Sequence, residues 1–166
     1  SGYTDVAVPT YNAGNLLLQD DLFENASGSA ESIQIKASSS SLGGCSGSQV
    51  KDSKFVAATS NGGADVNFSC TGSDRSGIVV SGNTSTGVTG GSSFIGLSGI
   101  TGGSIANNTA TTDGSTVFVF GDVTGTLSLD GNALTSTTGN GVTVHAGDFT
   151  SDPVNTGTID IENGTL

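Results

Sequence analysis

The stretches Ile78-Val79-Val80-Ser81-Gly82-Asn83-Thr84-Ser85, Gly103-Ser104-Ile105-Ala106-Asn107-Asn108-Thr109-Ala110 and Leu127-Ser128-Leu129-Asp130-Gly131-Asn132-Ala133-Leu134 are near-copies of one another. Each is an apolar alternation that runs into an Asn and a small residue. Aligned on Asn83, Asn108 and Asn132, they lie 25 and 24 residues apart, a period at which self-similarity marks a solenoid or another repeat array. After each Asn comes a Ser/Thr/Gly stretch and then a second apolar alternation, Phe94-Ile95-Gly96-Leu97, Val117-Phe118-Val119-Phe120 and Val142-Thr143-Val144. Two short strands per repeat, joined by small-residue turns, predict one rung of a β-solenoid.

Fainter copies extend the pattern outward. Leu22-Phe23-Glu24-Asn25 followed by Ile33-Gln34-Ile35 reads as an early rung, and Val50-Lys51-Asp52-Ser53 followed by Val66-Asn67-Phe68 as the next. Ile159-Asp160-Ile161-Glu162-Asn163 opens a last one. Offsets here stretch to about 28 to 31 residues, so these turns are expected to carry insertions. The 166 residues read as one domain, best defined over 77–148, with 1–22, including Leu16-Leu17-Leu18, as a candidate N-terminal cap.

Composition supports a narrow coil. Hydrophobic residues make up 33%, with no Trp or Met, against the roughly 45–50% of a globular chain. A solenoid needs only one or two inward side chains per strand. Disorder is the rival reading for a chain rich in Gly and Ser, but it does not account for β-branched alternations recurring in register. No segment holds a 3.6-residue period, and Gly interrupts nearly every ten-residue window. A net charge of −11 with four Lys/Arg excludes a phosphate-neutralising stripe and hence nucleic acid as a partner, and it disfavours anionic membranes. The longest apolar runs are of about four residues, far short of the ~18 that a membrane span needs.

Cys45 and Cys70 are 25 positions apart, one repeat length, so they are expected one above the other on neighbouring rungs. Stacked positions at the ~4.8 Å inter-strand spacing fall within disulfide reach. Closing that loop stabilises by about 3 kcal/mol in the chain-entropy picture, and the bond implies an oxidising, extracellular compartment. Two unpaired small core residues are the alternative.

In a parallel coil Ile35, Phe68, Leu97, Val119 and Val144 form one inward ladder, and Val80, Ile105 and Leu129 another. Asn at the corner is expected to take left-handed backbone angles and to bond along a stacked ladder. Thr-rich stretches such as Thr135-Ser136-Thr137-Thr138 raise an ice-binding face. Such a flat array needs Thr-x-Thr at the same place on every rung, and the rungs do not show it.

The segments around Gly82-Asn83-Thr84, Asn107-Asn108-Thr109 and Gly131-Asn132-Ala133, with their flanking strands, resemble the repeat of right-handed parallel β-helix proteins. That superfamily includes pectate lyases, phage tailspikes, autotransporter passengers and bacterial surface repeat proteins. The resemblance covers about Gly77 to Asp148 and implies an all-β, right-handed parallel β-helix of about five to six rungs; a β-sandwich fibre subunit is the alternative. Fold alone does not choose among the superfamily's functions.

Enzymes of that architecture carry acids and Arg or Lys on one outer sheet face. Here the cations are Lys36, Lys51, Lys54 and Arg75, none in a strand of the best-matched rungs, which leaves Arg75, Asp74 and Asp65 as the residues to mutate for a lyase or hydrolase. Asp122 and Asp148 follow equivalent strands and are the candidate Ca²⁺ ligands, with solvated turn acids as the competing reading. His145 is the single histidine and is expected to face outward. Sequons at Asn25, Asn67, Asn83, Asn107 and Asn163 permit glycosylation. The expectation is a non-enzymatic, secreted or cell-surface structural or adhesion module without a cofactor. Its partners would be copies of itself, flanking rungs of a longer chain, or surface glycans, since Thr158 to Leu166 opens a rung and stops. A polysaccharide-binding or polysaccharide-degrading β-helix is the alternative.

Overall fold

The computed structural model describes residues 6–8, 14–24, 33–37, 45–56, 63–70, 76–121, 123–144 and 157–166. Over these the chain is all-β and winds as a three-sided parallel solenoid. The first rung is β1 (Val6–Val8), β2 (Leu17–Gln19) and β3 (Leu22–Glu24); the second is β4 (Ile33–Ala37), β5 (Gln49–Lys51) and β6 (Lys54–Val56). Then follow β7 (Ala64–Cys70), β8 (Ile78–Ser81) and β9 (Thr84–Val88); β10 (Ser93–Ser98), β11 (Gly102–Ala106) and β12 (Thr109–Thr112); and β13 (Val117–Gly121), β14 (Thr126–Asp130) and β15 (Ala133–Ser136). A sixth turn contributes β16 (Val142–Val144) and β17 (Thr158–Glu162). First strands stack into sheet A, second strands into sheet B and third strands into sheet C.

Each of the first five rungs therefore has three strands where two were expected. The third is the Ser/Thr stretch after the corner Asn, which reads as a turn in sequence. It is a strand because Ser85, Ala110 and Leu134 alternate with exposed neighbours and point into the coil. The segment expected as a cap contributes β1 and β2, which pair with β4 and β5. Leu22–Glu24 pairs with Lys54–Val56 in sheet C, so it closes the first rung instead of opening an early one.

Both interior ladders run in the expected register. Ile35 pairs with Phe68, Phe68 with Leu97, Leu97 with Val119 and Val119 with Val144. In sheet B, Leu18, Val50, Val80, Ile105, Leu129 and Ile161 follow one another. Val50, Val80, Ile105 and Leu129 are buried, each contributing roughly 1.5–3 kcal/mol of apolar transfer. Aromatic rings fill the early rungs: Phe23 stacks on Phe55 at 4.9 Å, and Phe55 meets Phe94 edge-on at 6.0 Å.

All six turns from sheet B toward sheet C use two residues. The first is left-handed in every case: Asp20 (φ 59°), Asp52 (50°), Gly82 (68°), Asn107 (55°), Gly131 (63°) and Asn163 (50°). Gly, Asn and Asp are the residues that reach this region at least cost. Asn83, Asn108 and Asn132 are second residues and carry no positive φ. Their expected backbone role belongs to the preceding position, which frees their side chains for the interior.

Candidate functional site

The recurring Asn side chains are buried at 1–3% exposure and bond in a continuous column. Asn108 Oδ1 accepts from Asn83 N and Asn83 Nδ2, both at 3.0 Å. Asn132 Oδ1 accepts from Asn108 N at 3.0 Å and Asn108 Nδ2 at 2.9 Å. The same amides donate inward to strand carbonyls, Asn83 to Val50, Asn108 to Val80 and Asn132 to Ile105, at 3.0, 2.9 and 2.8 Å. Toward the N-terminus Ser53 N donates to Asn83 Oδ1 and Asp21 N to Ser53 Oγ. Buried polar groups remain only where they are bonded, so this column fixes corner geometry and offers nothing to solvent. Asn83, a sequon, holds its amide inside the coil. The sequon residues Asn107 and Asn163 lie exposed on the left-handed corners, with Asn163 Nδ2 donating to Asp130 Oδ1. Asn67 is half-buried on β7.

Cys45 and Cys70 are disulfide-bonded, with Cα atoms 5.9 Å apart. The geometry differs from simple stacking. The register partner of Cys70 is Ala37, and Cys45 lies in the connection after β4, which returns to fasten the end of β7. Neighbouring rungs are joined as expected, through an insertion instead of a ladder position.

Asp65 belongs to no outer-face cluster. It is fully buried, and Ser85 Oγ donates to its Oδ2 at 2.5 Å, so its carboxylate is closed to a polymer lying on the sheet. Arg75, Asp74, Asp122, Asp148, His145 and Asn25 lie outside the described residues. Asp113 accepts from the backbone N–H groups of Gly90 and Gly91 at 2.6 and 3.0 Å, clasping the turn one rung below. Among the described residues no group of three or more His, Cys, Asp or Glu could hold a metal ion, and no helix is long and apolar enough to cross a membrane.

The outer face of sheet C is the feature missed in the sequence. Register places Thr84 beside Thr109 and Thr109 beside Ala133, while Thr86 neighbours the Thr111 position and Thr111 faces Thr135. Thr86, Thr109, Thr111, Ala133 and Thr135 are exposed, and Thr84 is half-buried. Among the described residues none of these five Thr hydroxyls has a protein partner, whereas Thr112, Ser136, Thr137 and Thr138 at the next corner bond to backbone carbonyls. A signal was present: aligning the triplets after each corner Asn gives Thr-Ser-Thr, Thr-Ala-Thr and Ala-Leu-Thr. It was obscured because the triplets read as turn and the densest Thr run, 135–138, leads off the face.

Comparison with family models, with curated proteins and with solved structures finds no match for this chain.

Proposed function

We propose that this chain is a non-enzymatic structural and adhesion module of the right-handed β-helix type, acting outside the cell or at its surface. The observation that carries this reading is where the polar side chains go. Asn83, Asn108 and Asn132 form an internal column, Asp65 is held by Ser85, and Asp113 clasps a neighbouring turn. Each is committed to rigidity, the property a stalk or display scaffold needs. The Cys45–Cys70 bond supports an oxidising compartment.

Stacking on a further layer fits the same geometry. Val144 and Ile161 continue interior ladders yet are 42% and 43% exposed. A second copy stacked on β16 and β17 would cover these two side chains.

Electron microscopy of the purified protein, paired with polysaccharide assays, tests the proposal. Filaments or rod-like particles that leave polysaccharides intact are expected. Release of unsaturated sugars, or a fall in viscosity of any polysaccharide, overturns the non-enzymatic reading. Monodisperse monomers that deplete from solution on an insoluble glycan replace it with the glycan-binding alternative.

A further inference from the structure

We infer that the outer face of sheet C is an ice-binding surface, taking the ordered water lattice itself as its ligand. This does not rest on stacking or on the structural role proposed above. Three consecutive strands, β9, β12 and β15, present Thr at five of six outward positions: Thr84, Thr86, Thr109, Thr111 and Thr135, with Ala133 the sixth. An isolated bridge carries the first column on from Ala133 to Thr165.

Parallel register makes this a two-dimensional net. Equivalent residues repeat at about 4.8 Å between rungs, and alternate residues at about 6.6 Å along a strand. Repeats of this size occur in both directions on crystal planes of ice. Thr suits such a net because β-branching restricts χ1, so each hydroxyl and its companion methyl hold a fixed place. The free hydroxyls can order water where bonded ones could not.

Two further features favour water in its lattice as the occupant. No charged side chain occupies an outward position of β9, β12 or β15, although the chain carries a net charge of −11; in the same sheet Lys54 of β6 pairs with Thr84 and bounds the net on that side, with exposed Glu24 of β3 one strand further. A charge would orient water radially around itself and break the net. The frame is rigid, since the Asn column lies at the corner where each of these strands starts. The register between β9 and β12 shifts between Ala110 and Thr112, so Thr111 lies opposite both Thr86 and Gly87 (φ 76°), and the net is locally widened on that side.

Nanolitre osmometry and partition into growing ice, on the full chain with its disulfide intact, test the inference. Faceted crystals, a freezing point held below the melting point, and enrichment in the ice fraction are expected. Thr111→Lys, at the centre of the net, should reduce the freezing gap by about tenfold or more, as central positions of a binding face do, and Thr135→Lys should reduce it less. Ser104→Lys, outward on sheet B, should leave it within about twofold, as a substitution outside the face does. Circular dichroism establishes that each variant is folded. Unshaped ice with a folded wild type overturns the inference, as does a full freezing gap in folded Thr111→Lys or an equal loss in Ser104→Lys. Depletion by crystalline cellulose or chitin that Thr111→Lys abolishes, with no effect on ice, also overturns it and assigns the face to a glycan.

Discussion

The first three rungs and the next two build one cross-section by different means. Early on, the stacked rings of Phe23 and Phe55 fill the interior and reach Phe94 at the start of the fourth rung, a disulfide fastens rung to rung, and the corner column runs from Asp21 through Ser53 to Asn83. Later, aliphatic ladders fill the interior and Asn side chains join corner to corner. Spacing between column residues follows the same division: 32 and 30 residues from Asp21 to Ser53 to Asn83, then 25 and 24 to Asn108 and Asn132. A parallel stack constrains the strands and the tight corner, while loop closure grows only slowly more costly with length. Insertions are therefore tolerated between sheets A and B and after sheet C, and never at the two-residue corner.

The contrast breaks first in the aromatic interior. Phe55→Ala should cost about 3–5 kcal/mol, as loss of a fully buried ring does, measured by urea unfolding. Because each rung contacts only its neighbours, hydrogen exchange should rise in β3, β6 and β9 and hold steady in β14 and β15. A uniform rise along the coil would mean the two regions are one cooperative unit.

Removing the disulfide probes the same early rungs through the unfolded state. The Cys45→Ser, Cys70→Ser double variant should lose about 3 kcal/mol, with limited proteolysis cutting first in the connection that contains residue 45. Cleavage beginning near residue 101 instead would place the weaker region in the Asn-linked rungs.

The corner column offers a matched pair. Asn108→Ala strands the buried Asn83 N–H and Val80 carbonyl and should cost about 2–3 kcal/mol. Ser53→Ala removes one acceptor at the long-period corner and should cost about 1 kcal/mol. Equal losses would show that the Asn column adds nothing beyond an ordinary capping bond.

The left-handed corner residue spans the low end of the range. Gly131→Ala should cost about 1–2 kcal/mol, the penalty for an L-residue in that region. Asn107→Gly should change stability by less than about 0.5 kcal/mol, since relief of backbone strain is offset by a freer unfolded chain. Thermal unfolding of the two variants side by side measures the difference.

Legibility in the sequence tracked loop length. Where connections are short, the Asn alignment led directly to the ladders Val80–Ile105–Leu129 and Phe68–Leu97–Val119. Where insertions intervene, Leu22-Phe23-Glu24, which reads as the opening of an early rung, is the third strand of the first one, because a three-residue strand carries no period of its own. The disulfide partners were legible from spacing, although the spacing coincided with the repeat for a different reason. Asp65 gave no sign of being internal, since an acid on a strand reads as outward.

The sequence by itself determined that the chain is a parallel coil, because a solenoid's interior is written locally: every short strand contributes its own inward residues and every corner its Asn or Gly. Tertiary structure alone decided that there are three sheets, that the left-handed residue precedes the Asn, and that scattered threonines converge on one face of sheet C, beside Lys54. Those properties depend on register between strands some 25 residues apart, which is set by the hydrogen bonding and packing of neighbouring rungs and not by any one segment.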